Sequence, residues 1–568
     1  MKTLILLCLM GWALPSIGQK IVFKEFLGKP TQKSIAIKVF FDAPVEISVQ
    51  YGLISGKYTM ESPWQAVNAN EAGEIIVSNL TANTTYFYRL QYRVPNSAAV
   101  SFRPEYKFQT QRAVNTSFTF VVQSDPHLDE QSDSALFRLC LKNQLADKPD
   151  FMLDLGDILM TDKLKNAAGS IPKDTITYRS KLFRNYYETI SHSVPIFISM
   201  GNHEGESGWN LNNTANNIAV WGTLDRKKYF MNPSPNDFYT GDQTVHPYVG
   251  LRENYYEFTW GDAQFIILDP YWYTPTKPDA NNGWRWTLGK TQYDWLRNSL
   301  EKSKSKFKFI FAHQLIGGDP NGRGGIEFAD LYEWGGKNLN GTDGWATNRP
   351  GWYKPIKDLL TENRVTIFFH GHDHFYAKQD KDCLVYQETP QPSHPVFLSA
   401  NSATDYGYVK GDIYPNAGHL RVTVSGDGVK VDYVRAYLPK NESATRKNLD
   451  VSASYFIGTK NCYDDKPSNV VLWNANYINE VVYPNPLRQR TTLSFTLSKP
   501  DLISLSIYNA TGQQVKQLVR DNPVQDGNYQ IIWDGTDDSN RPLPPGSYIY
   551  QFSGPQTSTK TGKIILID

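Results

Sequence analysis

The chain has 568 residues, 40% of them hydrophobic and 20% charged; that balance excludes a disordered polymer, and the length exceeds one core, so roughly two to four domains are expected. Its 58 Lys and Arg against 57 Asp and Glu argue against a nucleic-acid partner held by bulk charge. The 34 Tyr, 28 Phe and 14 Trp favour β-rich domains and aromatic surfaces.

Residues 1–18 read as a secretory signal peptide: Lys2, an apolar run from Leu4 to Leu14, and small Ser16 and Gly18 before the expected cut. The run is too short to span a bilayer as a helix, and no later segment is long and apolar enough. Cys8 follows Leu7 rather than small residues, against a lipid anchor. The expected product is secreted or at the cell surface, after export across the inner membrane. Of the three later cysteines, Cys140 falls on an amphipathic helical pattern and reads as core. Cys383 and Cys462 are the pair expected to bond in an oxidising compartment.

Residues 20–112 alternate. Val45, Ile47, Val49 and Tyr51, then Tyr86, Tyr88, Leu90 and Tyr92, repeat with the period of half-buried strands, predicting a β-sandwich. The stretch "NLTANTTYFYRLQYR" resembles the fibronectin type III signature, with Leu80 and Tyr86 as its tyrosine corner. Another small β-sandwich is the alternative.

From 115 to 437 apolar runs alternate with helical or irregular stretches, the pattern of a layered α/β or α+β domain. "FTFVV", "FMLDL", "PIFISM", "KFIFA" and "VTIFF" each lead into residues able to bind metal, where strand ends gather ligands. They deliver Asp125 and His127 in "QSDPH", Asp157 in "DLGDI", Asn202 and His203 in "MGNHE", His313 in "FAHQ", and His372 and His374 in "GHDH". Alone, an H-x-H pair fits solvated or hydrogen-bonded core histidines as well as metal ligands. Five such pieces in this order resemble the calcineurin-like metallophosphoesterase superfamily.

That resemblance implies an α/β/β/α four-layer domain and two divalent ions, zinc, manganese or iron. By it Asp157 bridges, Asp125, His127 and His374 complete one metal, and Asn202, His313 and His372 the other. A metal-held hydroxide then attacks phosphorus. His203 takes the part of general acid, with Glu204 holding its imidazole. "YYEFTWGDAQFIILD" and "LGKTQYDWLRNSL" look like the purple acid phosphatase branch, which carries a tyrosine where this chain has Met160. The iron-tyrosinate colour of that branch is therefore not expected, and His127 fills the place.

His370, ending its apolar run, reads as a packing or supporting histidine. Arg323, in the glycine-rich loop after His313, is a candidate for binding the substrate phosphate or an ordinary loop residue. Trp272, Trp284 and Trp286 either wall the cleft or pack.

Residues 438–479 read as a linker and 480–568 as a third β-rich unit. "VVYPNPLRQRTTLSF" through "KIILID" resembles the type IX secretion sorting domain, a sandwich akin to the flagellar hook-cap immunoglobulin-like module. Tyr483, Pro484, Asn485, Pro486, Gly546, Ser547, Tyr548 and Lys563 carry that resemblance, which implies the type IX machinery as partner; a permanent adhesive sandwich is the alternative. Together these readings predict a multidomain phosphoesterase with a small phosphoester substrate, first a phosphomonoester as in acid phosphatases. A phosphodiesterase acting on nucleotides, cyclic nucleotides or glycerophosphodiesters is the second reading. A surface binding or adhesion protein with an inactive domain is the third.

Overall fold

The structure is a computed structural model, and it describes residues 20–567 apart from 168, 280, 281, 320, 460–478, 484, 498, 499, 526 and 556–558. The segment read as a leader and Cys462 lie outside these residues. No helix among them is long and apolar enough to cross a membrane.

Two sheets face one another at the N-terminal end. One is Ile21–Gly28, Ile35–Phe41 and Ala72–Val77; the other centres on Val45–Gly52 and Thr85–Arg93. Alternate residues such as Ile37, Val39, Ile47, Val49, Tyr88 and Leu90 meet between them, as a two-residue repeat requires. Leu80 and Tyr86 are buried there, and the Tyr86 hydroxyl accepts from the Thr81 N–H at 2.9 Å. Phe23, Phe26 and Phe40 point the other way and pack with Tyr229, Phe230 and Met231 of the central domain.

The central domain is built on two larger sheets. A six-stranded one runs Ile196–Ile198, Met152–Asp154, Phe118–Gln123, Gly418–Val424, Gly428–Arg435, Val451–Gly458, with its first three strands parallel. In the eight-stranded one, Ala263–Ile267, Phe307–Phe311, Ile367–His370 and Leu384–Glu388 form a parallel centre. Both faces of these strands are covered, which is why they read as unbroken apolar runs. Phe120, Val122, Phe309, Phe311, Ile367 and Phe369 meet in one core, while Val121, Ile310 and Phe368 belong to a second core with helix residues Phe137, Leu141, Phe183, Leu296 and Leu359.

Helix Ser134–Ala146 starts where the Asp133 carboxylate accepts from the N–H groups of Ala135 and Leu136. Cys140 lies on its buried side, a free thiol that burial pushes up to about 12. Cys383 is disulfide-bonded.

Val451–Gly458 lies in the segment read as a linker, yet it pairs along Gly428–Arg435 as an edge strand of the six-stranded sheet. Its residues are exposed or half-buried, so the apolar alternation that reveals the inner strands is weak there.

A separate compact unit follows. Asn479–Tyr483, Thr491–Leu497 and Gly527–Trp533 form one sheet, and Gln514–Val524, Asp501–Tyr508, Gly546–Ser553 and Lys560–Leu566 the other. Phe495, Leu505, Ile507, Trp533, Tyr548 and Phe552 fill its core.

Candidate metal centre

Every sequence-predicted ligand stands just beyond the carboxyl end of a parallel strand, where a sheet stops pairing its backbone and side chains can converge. Asp125 and His127 follow Phe118–Gln123, Asp157 follows Met152–Asp154, and Asn202 follows Ile196–Ile198. His313 follows Phe307–Phe311, and His372 and His374 follow Ile367–His370.

Asp125, His127 and His374 form one group whose ligand atoms lie within 4.8 Å of one another, and Asp157, His313 and His372 form a second. The groups touch. Asp157 Oδ2 is 3.1 Å from His313 Nε2 and 3.7 Å from His127 Nε2, so it stands between them. Asp125 Oδ1 lies 3.3 Å from His374 Nε2, and Asn202 Oδ1 is 3.1 Å from His313 Nε2.

The two carboxylates are held alike. Asp157 Oδ1 accepts from the His203 N–H at 2.8 Å and Asp125 Oδ2 from the His372 N–H at 2.9 Å. Their other oxygens, Asp157 Oδ2 and Asp125 Oδ1, are buried without a hydrogen-bond partner, as is His127 Nε2. Leaving such atoms unpaired is costly. The pattern therefore fits cations bound among them. His313 donates from Nδ1 to the Leu155 carbonyl at 2.9 Å, which turns its Nε2 lone pair inward.

Five of the seven expected ligands, Asp125, His127, Asp157, His372 and His374, have φ between 46° and 77°. Left-handed backbone at non-glycine residues is strained, and it persists where the surroundings over-determine it. Arg179 is one such constraint: its buried guanidinium donates to the carbonyls of His127, Leu128, Ile158 and Leu159. The motif glycines are another. A Cβ on Gly371 would lie 1.9 Å from Ser124 Oγ and 2.6 Å from Asp125 Oδ2, and one on Gly201 would lie 2.3 Å from Asp157 Oδ1.

The electrostatics favour positive charge at the centre. Burial pushes the Asp125 carboxyl up, but His313 and His374 outweigh it and hold the group well below the carboxylate range. Burial lowers the His313 pKa, yet Asp157 and Asp125 raise it to about 9. His374 goes the other way, to about 4, because burial dominates.

His203 borders this centre, with Nε2 3.8 Å from Asp157 Oδ2. Its carbonyl is fixed by the N–H and hydroxyl of Thr161, at 2.9 and 2.8 Å. Glu204, expected to hold the His203 imidazole, has a different task in the structure. Its buried carboxylate accepts from the N–H groups of Gly201, Asp157, Ile158 and Leu159, and so clamps the turn that carries Asp157. Burial and the negative Asp157 push its carboxyl up to about 7.

Arg323 is drawn into the "GHDH" loop. Its Nη1 donates to the His372 carbonyl at 2.6 Å and to Asp373 Oδ1 at 3.1 Å, and its guanidinium lies over the Tyr406 ring. That places it as a brace on the loop; as a phosphate ligand it would have to share those bonds. His370 Nδ1 lies 2.7 Å from Glu388 Oε2, a buried pair beneath the loop, and Glu388 Oε1 accepts from the Asp373 N–H.

Sequence reasoning passed over Asp129, whose Oδ2 lies 3.6 Å from His127 Nδ1 and 2.9 Å from Lys163. It also passed over Asp373, which joins Arg323, the Gly324 N–H and the Tyr408 hydroxyl. Both lie within two residues of a ligand, the one signal available.

A cavity of about 370 Å³ opens beside Asn202 and His372. Trp286 lines it; Trp272 lies under the Arg252 guanidinium, and Trp284 bonds Asn338, so those two pack. A wider groove of about 1190 Å³ around Trp295 and Lys302–Lys306 contains none of the ligand residues.

Residues 118–376 match the family model of the calcineurin-like phosphoesterases, and residues 487–558 that of the FlgD Ig-like domain. Among solved structures the chain is similar to PhoD, with 14% identity and a TM-score of 0.53 over 77% of this chain and 90% of that one. It is also similar to the purple acid phosphatase PPD1 from yellow lupin (Lupinus luteus) seeds, at 14% identity and a TM-score of 0.51, over 79% of this chain and 77% of that one. At this identity the likeness is one of fold. No curated protein matches the sequence.

The chain thus carries a calcineurin-like phosphoesterase domain with candidate sites for divalent metals. It is a hydrolase acting on phosphate esters.

Proposed function

We propose that the protein is a secreted phosphomonoesterase with a dinuclear metal centre, in which Asp157 would be the ligand shared by two divalent cations. The observation that carries this reading is the convergence of two three-residue groups on Asp157, with Asp125 Oδ1, Asp157 Oδ2 and His127 Nε2 buried and unpaired. Asp125, His127 and His374 would hold one ion, and Asn202, His313 and His372 the other. Nitrogen and oxygen donors without thiolate suit zinc, manganese or iron. Such a pair supplies a nucleophilic hydroxide at neutral pH and a clamp for phosphoryl oxygens.

The chain's own residues do the rest. The His203 N–H and the Leu155 carbonyl fix Asp157 and His313 in orientation, so the site is formed before substrate arrives. His203 Nε2, at the edge of the centre, holds the proton that passes to the leaving alkoxide. Glu204 and Arg179 keep the two ligand-bearing turns in their strained conformations.

The same proposal takes the domain as the four-layer α/β/β/α type and the N-terminal sandwich as fibronectin type III-like. The C-terminal sandwich is a sorting domain read by the type IX secretion machinery, a reading supported by Tyr483, Asn485 and Pro486 and by the Gly546–Tyr548 strand start. Preference for monoesters is the reading that the resemblance to acid phosphatases suggests, and the likeness in fold to the lupin purple acid phosphatase is compatible with it. A panel of phosphomonoesters and phosphodiesters tests it: monoesters should have the higher kcat/KM, and a reversed order would make the enzyme a phosphodiesterase.

A further inference from the structure

The cavity beside Asn202 and His372 has a donor set that the metal centre does not use. Gln314, next in sequence to the ligand His313, is 1% exposed. Its Oε1 accepts from the Tyr271 hydroxyl at 2.7 Å, and its Nε2 is buried without a partner. Trp286 is 5% exposed, and its indole N–H is likewise unpaired. Both residues line the cavity. Two buried donors without acceptors, on residues that line one cavity, are expensive unless a ligand supplies the acceptors.

The charge of the lining points the same way. Lys165 and Lys277 stand at the rim, both exposed, and neither has an acidic partner among the described residues. Among the described residues, no Asp or Glu lines the cavity. Trp209, Ile218 and Pro278 supply apolar wall. About 370 Å³ is at the small end of ligand sites, which begin near roughly 300 Å³.

The glycine-rich loop is shaped around this amide. Gly322 has φ +84°, and a Cβ there would lie 2.1 Å from Gln314 Nε2. The loop is kept bare where it passes the amide.

We propose that this cavity is the leaving-group subsite, built for phosphate esters of small hydroxylated alcohols that carry a second anionic group. The inference rests on the phosphoesterase reading and adds a substrate class to it. With the scissile phosphate at the metal centre, the alcohol extends past Asn202 and Gly205, the residues flanking the His203–Glu204 turn. Its hydroxyl oxygens accept from Gln314 Nε2 and Trp286 Nε1. The second anion reaches Lys165 and Lys277, and those exposed charges make the preference sensitive to salt.

Glycerol 3-phosphate and 3-phosphoglycerate test this directly, because they share size and phosphate position and differ in a hydroxymethyl against a carboxylate. The expected result on the metal-loaded full chain is a kcat/KM about 10-fold higher for 3-phosphoglycerate, the size of one modest ion contact. A Lys165→Ala, Lys277→Ala double variant should bring that ratio to within about 2-fold, and D-glycerate should lose potency as an inhibitor of p-nitrophenyl phosphate hydrolysis in step. Gln314→Leu should lower kcat/KM for both three-carbon esters relative to p-nitrophenyl phosphate, with melting temperature and metal content showing that the fold is kept. Equal rates on the two esters, or a preference that survives the double lysine variant, would overturn the inference and leave the phosphoesterase reading in place. No hydrolysis of any ester, p-nitrophenyl phosphate included, would overturn both.

Discussion

Glu204→Gln separates two accounts of the residue beside the proposed acid. In the structure Glu204 Oε1 accepts from Ile158 and Leu159, and Oε2 from Asp157 and Gly201. Glutamine keeps one oxygen and turns an NH₂ toward two N–H donors. Two hydrogen bonds to a charged acceptor, at about 1.5–3 kcal/mol each, are then lost. The lower end for the pair, about 3 kcal/mol, is expected. Differential scanning calorimetry should show the unfolding of the central domain several degrees lower. The strained Asp157 turn should loosen with it, so elemental analysis should find metal affinity reduced roughly 10–100-fold, as for supporting residues of metal sites. Turnover should fall equally on good and poor leaving groups. Unchanged melting and metal content, with loss confined to poor leaving groups, would refute the clamp and return Glu204 to the His203 imidazole.

Asp157→Asn should abolish turnover together with metal, by more than the roughly 10–100-fold of a supporting residue; assay and elemental analysis on one sample check both. His203→Ala should keep its metal and lose about 10²–10⁴ in kcat, most on leaving groups of high pKa; a loss independent of leaving group in a Brønsted series would remove the general-acid role. Glu206, buried between Arg226 and Arg252, is pushed up by burial but held down to about 2 by those guanidiniums. Its folded pKa is thus below the ordinary 4.5, so it contributes stability above about pH 4.5 that is lost as pH falls toward 2. Comparing acid unfolding of wild type and Glu206→Gln should show the variant less stable at pH 7, by about 3 kcal/mol, and the difference shrinking toward pH 2; a gap that does not narrow would contradict this.

The phosphoesterase class was legible because its residue types cannot be hidden: carboxylates, an amide and imidazoles must follow strands that are apolar on both faces, such as Phe307–Phe311 and Ile367–His370. Orientation was not legible. Glu204 follows His203 in sequence, but its carboxylate reaches back to the Asp157 backbone, whose left-handed φ no residue pattern announces. Arg323 was singled out for its charge, while its bonds depend on Asp373, fifty residues on, across two loops. Val451–Gly458 looked like connection because an edge strand buries little. Gln314 was passed over because an amide after a ligand histidine means nothing until the cavity beside it is seen.

The proposed function requires a two-metal centre held by Asp157 that hydrolyses phosphate esters. Elemental analysis of the purified chain, paired on the same sample with p-nitrophenyl phosphate hydrolysis before and after chelation, tests it most directly. Two divalent ions per chain, with turnover lost on chelation and restored by zinc, manganese or iron, is the predicted result. A chain that binds no metal and stays inactive after reconstitution with each of the three would contradict it.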